Sequence, residues 1–375
     1  MTLTGLTVAI IGGGIGGTAA AAALARRGAQ VTLYEQASAL TEVGAGLQVS
    51  ANGQAVLRAL GVVGATPPDR ASVSSGTVFR DGRSGRFVAK VPPPKAGRTW
   101  YMHRADLLDL LVQVAQAAGV STVLDRVVTP GTIEADVIVA ADGAHSIWRS
   151  GIDGPDSPRF TGQVAWRAVV PQTTTPEEVA ATLSMGRKAH VVHYPLRANK
   201  LMNVVAIEER RDWTAESWSH EGDVSEFQRR FRDFSGPAAQ AIRAAERVHM
   251  WALHARPVAG TWVKGNTALL GDAAHPTLPF MAQGACLALE DAWVLADALS
   301  ASADVDSALH LYQAKRQKRA QNVVALADGN AWRFHLGRPL AWGAHAFLKL
   351  GAGYLAQRLE WVYGYDPTTV IAAEV

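Results

Sequence analysis

The sequence predicts an α/β protein with a Rossmann-like parallel sheet, an inserted mixed or antiparallel sheet and a closing segment of helices. Three observations predict this fold class. A strand–helix–strand pattern opens the chain at residues 7–35, and apolar strands recur directly before Asp142 and before Gly271-Asp272. Short alternating or β-branched runs, separated by turn residues, then fill residues 163–208. From residue 305 to about residue 356 the apolar spacing is helical.

Composition places the chain among ordinary globular proteins. Its 375 residues are 48% hydrophobic, which is enough for two domains or for one elaborate domain. The net charge of +3 is spread along the chain without a run of five like charges, so nucleic acid is not an expected partner. No apolar stretch approaches the ~20 residues of a membrane span, and no membrane partner is expected. The single Cys286 and the lack of a signal-like segment predict a cytoplasmic protein.

The opening segment has the pattern of a complete β–α–β unit. Residues 7–11 are apolar and largely β-branched, as in a buried parallel strand, and three glycines then lead into an alanine-rich helix at residues 15–27. Gly28 ends this helix. Residues 30–34 alternate like a second strand and finish at Glu35.

Within this unit, Gly12, Gly14 and Gly17 satisfy the G-x-G-x-x-G pattern. Such glycines permit the tight turn, allow a pyrophosphate to approach the backbone and let the helix pack on the strand, while the helix start at Ile15 attracts the anion. Glu35 follows Gly17 by 18 residues, where a carboxylate accepts hydrogen bonds from ribose hydroxyls and repels a 2′-phosphate. The unit therefore predicts binding of the ADP half of NAD or FAD.

A second string of the same form, residues 351–356, lies near the C-terminus. It follows a helical pattern at residues 344–350 rather than a strand, and no acidic residue ends a second strand beyond it. It is expected to be a site of helix packing.

Two further segments carry an acid at the end of a predicted strand. Asp142-Gly143 and Gly271-Asp272 would lie at the sheet edge where ligands bind, and Asp272 could hold a ribose or ribityl hydroxyl or, alternatively, cap a helix. A helix is expected to begin near Gln283-Gly284, with amides that could stabilise negative charge or simply start a packed helix. Arg104 precedes a predicted helix at residues 105–118, where its charge opposes the helix dipole; it is either a ligand contact or a solvated surface residue.

These motifs, in this order and spacing, resemble the single-component FAD-dependent aromatic hydroxylases. The resemblance covers nearly the whole chain and is closest to the salicylate, 3-hydroxybenzoate and 6-hydroxynicotinate monooxygenases. It rests on the strings VGAGLQVSANG, HRADLLDLL, AHVVHYPL, FMAQGA and WVYGYD. It implies an FAD-binding domain of the glutathione-reductase type with an inserted substrate domain and C-terminal helices.

The resemblance also implies a domain plan. The FAD-binding domain would comprise residues 1–71, 101–162 and 256–304, the substrate domain residues 72–100 and 163–255, and the helical segment residues 305–375. One departure from the family is visible, because residues 120–136 are too few for the β-hairpin meander that usually precedes the Asp-Gly motif. That peripheral layer is expected to be trimmed without touching the FAD residues.

The cofactor residues implied by the resemblance form one set. They are Gly12, Gly14, Ile15, Gly17, Glu35, Gln48 in the glycine loop at residues 44–46, Arg104, Asp142, Gly271, Asp272, Gly284 and Ala285. NADH or NADPH would reduce the FAD as a transient donor, and O2 would give a flavin C4a-hydroperoxide that hydroxylates a small phenolic acid. A homodimer is compatible with the sequence.

Deprotonation of the phenol calls for a general base, and the string AHVVHYPL offers His190 and His193. Period 2 places His190 and Tyr194 on one face of a strand and His193 on the other. The resemblance assigns the base to His190, with Tyr194 and Gln283 as the other catalytic residues. His193 is the alternative base, and a purely structural histidine is the third interpretation.

Other residues narrow the substrate. The nicotinate branch has histidines at the positions of Gln48 and Phe280, so their absence favours a hydroxybenzoate-like substrate over a hydroxypyridine. His275 lacks partners at metal-ligand spacing, and no metal is expected. An epoxidase or amine oxidase acting on a non-aromatic substrate, and a non-catalytic flavin-binding sensor, stay open as alternatives; the histidine in the sheet argues mildly against both.

Overall fold

The computed structural model describes residues 2–41, 45–62, 70–172, 178–210, 221–330, 333–337 and 340–371. The strands are β1 (Thr7–Ile11), β2 (Gln30–Tyr34), β3 (Gly46–Val49), β4 (Ala71–Val73), β5 (Thr77–Asp81), β6 (Phe87–Val91), β7 (Trp100–His103), β8 (Ser121–Val123), β9 (Val137–Ala140), β10 (Arg159–Pro171), β11 (Ala181–Gly186), β12 (Ala189–Leu196), β13 (Leu201–Glu209), β14 (Glu221–Gly222), β15 (Val248–Ala255), β16 (Val263–Lys264) and β17 (Thr267–Leu269). The helices are α1 (Ile15–Ala25), α2 (Ala51–Ala59), α3 (Arg104–Ala117), α4 (Arg149–Ile152), α5 (Val224–Arg230), α6 (Pro237–Arg243), α7 (Gly284–Ala301), α8 (Val305–Asn330), α9 (Leu340–Arg358) and α10 (Glu360–Tyr363). Short 3-10 turns cover Gly271–Ala273, Pro279–Met281, Arg333–His335 and Pro367–Thr369.

The predicted parallel sheet is present, with the strand order β16-β17-β9-β1-β2-β8, in which only the edge strand β16 runs antiparallel to its neighbour. Strand β1 lies between β2 and β9, parallel to both, and its residues after Thr7 are buried. Helix α1 packs against α3 and α7, because its alanines give a smooth buried surface. The alternating exposure and burial of β2, followed by Glu35, matches the predicted β–α–β unit. The α/β class predicted from the sequence is therefore confirmed.

A second sheet of eight strands has the order β14-β15-β10-β13-β12-β11-β5-β6. It is mixed, because β5 and β11 pair in parallel whereas the other pairs are antiparallel. One face is covered by α5 and α6, and Phe227 of α5 and Phe231, which directly follows α5, pack in a buried cluster with Trp166 of β10. The opposite face carries the side chains of the cavity described below.

A third, three-stranded sheet corrects one detail of the sequence prediction. Residues 77–91 join the eight-stranded sheet as β5 and β6, but β4 pairs with β7, which also pairs with β3. The chain changes sheet at Gly76, whose φ of +130° is a conformation that glycine adopts easily. A Cβ there would also overlap the carbonyl oxygen of Val91. Of the strands in residues 72–100, which the sequence assigned to the substrate domain, β5 and β6 therefore join the eight-stranded sheet, whereas β4 and β7 belong to the three-stranded sheet.

Several element ends differ from the sequence prediction by a few residues. Helix α1 ends at Ala25, α3 begins at Arg104 itself, and β10 begins at Arg159 with a register shift between Phe160 and Val164. The string at residues 351–356 lies inside α9, as predicted. Between residues 120 and 136 the structure has β8 alone, in agreement with the trimmed layer. The domain boundaries stay a prediction.

The closing helices pack on the parallel sheet through α7, which contacts α1, α2 and α8. Of the 18 residues of α7, most are buried, whereas none of the residues of α9 is buried. Within the described ranges, no helix combines the length and the apolar character that crossing a membrane requires.

Candidate active site

One cavity of about 1000 Å³ runs from the edge of the parallel sheet to the open face of the eight-stranded sheet. It brings together residues that lie far apart in the sequence, because both sheets present the ends or faces of their strands to it. The predicted site residues that line it are Gly14, Ile15, Gln48, Arg104, His190, Tyr194, Gly271, Asp272, Gln283, Gly284 and Ala285. Gly12, Gly17, Glu35 and Asp142 lie beside this lining rather than in it.

The glycines at the start of α1 have different surroundings. A Cβ at Gly14 would meet no protein atom within 4 Å, so this backbone faces open space in the cavity. A Cβ at Gly12 would overlap the carbonyl oxygen of Ala141, and one at Gly17 would overlap the carbonyl oxygen of Gly12. Gly12 also has a φ of +104°. Gly14 thus leaves room for a ligand, whereas Gly12 and Gly17 allow the strand–turn–helix backbone itself.

Glu35 lies at the end of β2, where the sequence predicted it. One carboxylate oxygen accepts a hydrogen bond of 2.7 Å from the Gly13 amide, and the other accepts one of 2.9 Å from Ala37. These bonds fix the carboxylate beside the glycine turn. Because each carboxylate oxygen has a second lone pair, Glu35 keeps acceptor capacity for a hydroxyl.

The two predicted aspartates follow β9 and β17, neighbouring parallel strands. The Oδ2 atom of Asp142 accepts a hydrogen bond of 2.9 Å from the Ile147 amide, while its buried Oδ1 has no hydrogen-bond partner within the described part of the chain. Burial raises the pKa of Asp142. Burial also raises the pKa of Asp272, and the charges of His275 and Arg104 lower it in part. Arg104 lies in the cavity lining and close enough to Asp272 for their charges to interact, while its contact with a ligand stays a prediction.

Gln283 caps α7 at the middle of the cavity and is 2% exposed. Its side-chain oxygen accepts a hydrogen bond of 2.8 Å from Asn52, and its side-chain nitrogen donates one of 2.9 Å to Ser50. Both partners are at the start of α2, directly after the strand that carries Gln48. Residue 44 of the predicted glycine loop is outside the described residues, and Gly46 begins β3.

A buried ionic network supports the loop that contains Gly271 and Asp272. Asp291 of α7 accepts hydrogen bonds of 3.0 Å from the Gly271 amide, 2.5 Å from His275 Nε2 and 2.7 Å from Arg316. Although burial alone would raise the pKa of Asp291, its interactions and hydrogen bonds with His275 and Arg316 lower it to about 2. Arg316 also pairs with buried Glu290 at 2.6 Å. His275 is thus a structural residue held by a carboxylate.

The far end of the cavity is formed by the eight-stranded sheet. His190 and Tyr194 of β12 line it together with Val192, as period 2 requires, and His193 is on the opposite side of the strand. Burial lowers the pKa of His193 to about 4, and the charge of Arg80 adds to the effect. Burial holds the pKa of His190 well below its ordinary value, with a further contribution from His335. Both histidines are therefore neutral at pH 7.

Two cavity residues near His190 and Tyr194, namely Tyr101 and Arg167, had no signal in the sequence. The ring of Tyr101 lies 4.9 Å from that of Tyr194, and its hydroxyl is hydrogen-bonded to Ser74 Oγ at 2.6 Å. Burial raises the pKa of Tyr101 to about 12. Arg167 of β10 lies over the Trp251 ring, 4.6 Å from its centroid, and lines the cavity. Phe280 packs against His190 with 5.8 Å between ring centroids.

Comparison with known proteins gives the family. Residues 112–327 match the model of a family described as an FAD binding domain, and residues 10–42 match an NAD(P)-binding Rossmann-like domain. The chain is 35% identical over 390 residues to 3-amino-4-hydroxybenzoate 2-monooxygenase PtmB3 of Streptomyces platensis, with 97% of each protein covered. It is 34% identical over 405 residues to 3-hydroxybenzoate 6-hydroxylase of Polaromonas naphthalenivorans (strain CJ2), with 98% of each covered.

The chain belongs to the FAD-binding monooxygenases. A solved salicylate hydroxylase–substrate complex resembles this monooxygenase over 99% of the present chain and 98% of that structure, with a TM-score of 0.81 and 25% identity. The predicted family resemblance and the FAD-dependent monooxygenase class are thereby confirmed.

The residues of this monooxygenase fit an FAD molecule. The open space above Gly14 accommodates a pyrophosphate that the backbone can approach, and the N-terminus of α1 faces it. The buried Oδ1 of Asp142, which has no hydrogen-bond partner among the described residues, would supply an acceptor next to that turn. At the middle of the cavity, the first amides of α7 after Gln283 face the space that a flavin ring would take. Gly12 and Gly17 would act by shaping this turn. The expected role of Glu35, accepting hydrogen bonds from ribose hydroxyls, stays a prediction.

Proposed function

We propose that this monooxygenase hydroxylates a small phenolic carboxylic acid of the hydroxybenzoate or salicylate type, with NADH or NADPH as electron donor and in the cytoplasm. The observation that carries the proposal is the far end of the cavity, where a neutral histidine, a tyrosine and an arginine face one space (His190, Tyr194 and Arg167). A phenolic acid offers a hydroxyl, a ring and a carboxylate to that set. The names of the relatives, which act on hydroxybenzoates, support the same substrate class.

Each end of the substrate has a partner in the cavity. The guanidinium of Arg167 can bind the carboxylate, because arginine matches carboxylate geometry and is always charged. The apolar and aromatic side chains of Val205, Phe280 and Tyr194 can hold the ring. His190, as a neutral imidazole, can accept the phenol proton and so increase the electron density of the ring.

When bound, FAD supplies the activation of O2 once NADH or NADPH has reduced it. The protein contributes positions and a dry environment. Gln283, fixed by Asn52 and Ser50, aligns the start of α7 with the middle of the cavity. The buried side chains of Tyr101 and Tyr194 exclude water from the substrate end. The ring of a neutral phenol is less reactive than the ring of a phenolate. The proposed chemistry therefore depends on the histidine.

The test is direct. The purified protein is examined for bound flavin and screened with phenolic acids for stimulated NADH and NADPH oxidation, and the hydroxylated product is identified by mass spectrometry. The variant Arg167→Met should raise KM for a phenolic acid by roughly 10-fold or more, the value of a hydrogen-bonded charge pair, while leaving KM for the matching phenol without a carboxylate unchanged. If no phenolic acid is converted, the proposed function is wrong.

A further inference from the structure

A chain of three side chains connects His190 to the protein surface. His190 Nδ1 lies 2.8 Å from Nε2 of His335, and His335 Nδ1 lies 3.2 Å from Oε1 of Glu209. His190 is 1% exposed and the His335 side chain 2% exposed, whereas the Glu209 side chain is 41% exposed. The chain therefore begins at the cavity and ends in solvent.

The middle member of this chain is held firmly although it is 145 residues from His190 in the sequence. His335 ends the 3-10 turn Arg333–His335, whose last carbonyl oxygen accepts a hydrogen bond of 3.1 Å from the Lys188 amide at the β11–β12 turn. Phe334 of the same turn packs edge-on against His190, with 5.3 Å between ring centroids. The backbone of Glu209 is fixed by its pairing with Gln163 of β10 and by the hydrogen bond of 2.9 Å that its amide donates to the Lys188 carbonyl oxygen.

The order of acceptors and donors selects one tautomer for each ring. A carboxylate only accepts, so Glu209 requires that His335 carry its proton on Nδ1. His335 Nε2 is then a bare acceptor, and the bond to it requires that His190 donate from Nδ1. His190 Nε2 is consequently the bare nitrogen, and it belongs to the ring that lines the cavity. The surface carboxylate thus presents the basic nitrogen of His190 to a substrate.

Burial makes storage of a proton on His190 unfavourable. Its pKa lies well below the ordinary value of histidine because of burial, whereas a phenol has an ordinary pKa of about 10. An isolated buried imidazole would therefore deprotonate only a small fraction of the bound phenol. Transfer onward to a group near solvent lets the proton leave the core, so no imidazolium has to persist there.

Resting on the proposed function, we infer that His335 and Glu209 form a proton relay that carries the substrate phenol proton from His190 to solvent. The phenol O–H bond breaks as His190 Nε2 gains its proton, and the Nδ1–H proton of His190 moves to Nε2 of His335. The Nδ1–H proton of His335 then moves to the Glu209 carboxylate, which releases it to water. One proton enters and one leaves, no electrons are transferred to the relay, and both rings end in the opposite tautomer. His335 and Glu209 are positioning residues, because neither lines the cavity.

The test follows ionisation of a bound ligand and does not require turnover. The oxidised holoenzyme is mixed with 3-hydroxybenzoate in a stopped-flow spectrophotometer, and the phenolate absorbance of the bound ligand is recorded in H2O and D2O mixtures. The variants are His335→Gln and Glu209→Gln, with the exposed His310→Gln and Glu221→Gln as controls. Both relay variants should slow phenolate formation by roughly 10- to 100-fold, with unchanged Kd for the ligand and unchanged flavin content. The double variant should be little slower than the slower single variant, because residues in series act as a unit.

Proton movement itself provides a second readout. The wild-type rate should depend on the D2O fraction with curvature, because more than one proton moves, whereas the His335→Gln rate should depend on it linearly. Glu209 is partly exposed, so its variant tests the relay even if His335→Gln folds poorly. Wild-type ionisation rates in both relay variants, together with a slow His190→Ala variant, would overturn the relay and leave the proposed function standing. Failure of the wild type to bind or ionise any phenolic acid would overturn both.

Discussion

Asn52 and Gln283 are joined by a buried hydrogen bond of 2.8 Å between their side-chain amides. They come from the start of α2 and the start of α7, and Asn52 also donates to Glu290 Oε1 at 2.6 Å. Because Glu290 pairs with Arg316, these two bonds of Asn52 connect the middle of the cavity to the buried ionic network under the Gly271-Asp272 loop. Asn52 is 0% exposed, so water is not available to replace it.

Asn52→Ala should therefore weaken both the fold and flavin binding. The substitution leaves the Gln283 side-chain oxygen without its donor, and a buried group that loses its partner costs about 1–3 kcal/mol. We expect a lower free energy of unfolding and a larger Kd for FAD, measured by denaturant titration and by flavin fluorescence. Asn322→Ala, an exposed position on α8, is the matched control and should change neither value. Equal free energies of unfolding for the two variants would show that the bond to Gln283 does not contribute to stability.

Gly14→Val should abolish FAD binding without unfolding the protein. The added side chain enters open space, where it meets no protein atom but occupies the approach of a pyrophosphate to the backbone. Gly12→Ala is the informative comparison, because its Cβ would overlap the Ala141 carbonyl oxygen and its φ is positive. Circular dichroism and flavin content distinguish the two. Gly14→Val should give a folded apoprotein, and Gly12→Ala a destabilised one; near wild-type flavin content in Gly14→Val would mean that the phosphate site is elsewhere.

The sequence predicted those parts of the site that local patterns encode. The glycine turn before Ile15 and the acid at Glu35 belong to one continuous β–α–β unit, so spacing alone located them. The face that carries His190 and Tyr194 followed from the period of a strand. The opposite position of His193 followed from the same rule.

Other parts of the site depend on contacts that no local pattern encodes. His335 is a lone histidine after a long helix, and only tertiary packing places it against His190. Arg167 and Tyr101 occupy alternating strands whose sequence does not say which face is open. The sheet change after β4 depends on the backbone angle at Gly76, and a glycine in a strand-rich stretch is compatible with many turns. Residues of this kind are visible only once the strands are paired.

The pH dependence of stability should contain a contribution from His193. Its pKa is about 4 in the folded protein and near 6.5 in the unfolded chain, because burial disfavours the charged ring. Above pH 6.5 both states hold the neutral ring, and the full stability is present. As the pH falls from 6.5 to 4, the unfolded chain gains a proton that the folded protein does not, so the free energy of unfolding decreases. A shift of this size corresponds to roughly 3 kcal/mol.

His193→Gln should reduce that loss, because glutamine does not titrate. Denaturant unfolding at several pH values between 4 and 7 would measure the slope for the wild type and the variant. The exposed His310→Gln, with a side chain 62% exposed, serves as the control and should keep the wild-type slope. The same slope in the wild type and in His193→Gln would mean that the ring is protonated without cost in the folded protein.

The substitution His190→Ala distinguishes aromatic hydroxylation from the other activities that the sequence left open. Flavin content should stay near wild type, because His190 lies in the sheet of the substrate end and not at the glycine turn that would hold the ADP half. Formation of hydroxylated product should fall by roughly 100- to 10,000-fold, the range of a positioned general base. Consumption of NADH should fall less than product formation, since reduction of the flavin does not require an ionised phenol, and the difference should appear as hydrogen peroxide.

His193→Ala is the matched variant, because it removes a second buried histidine from the same strand on the face away from the cavity. Its stability should change, but the ratio of product to NADH on the best phenolic acid should stay close to the wild-type ratio. A larger loss of this ratio in His193→Ala than in His190→Ala would place the base on the opposite face of β12. Small and equal effects of the two substitutions would mean that neither histidine accepts the phenol proton. The space between Tyr194 and Arg167 would then have to bind a substrate that is already ionised in solution.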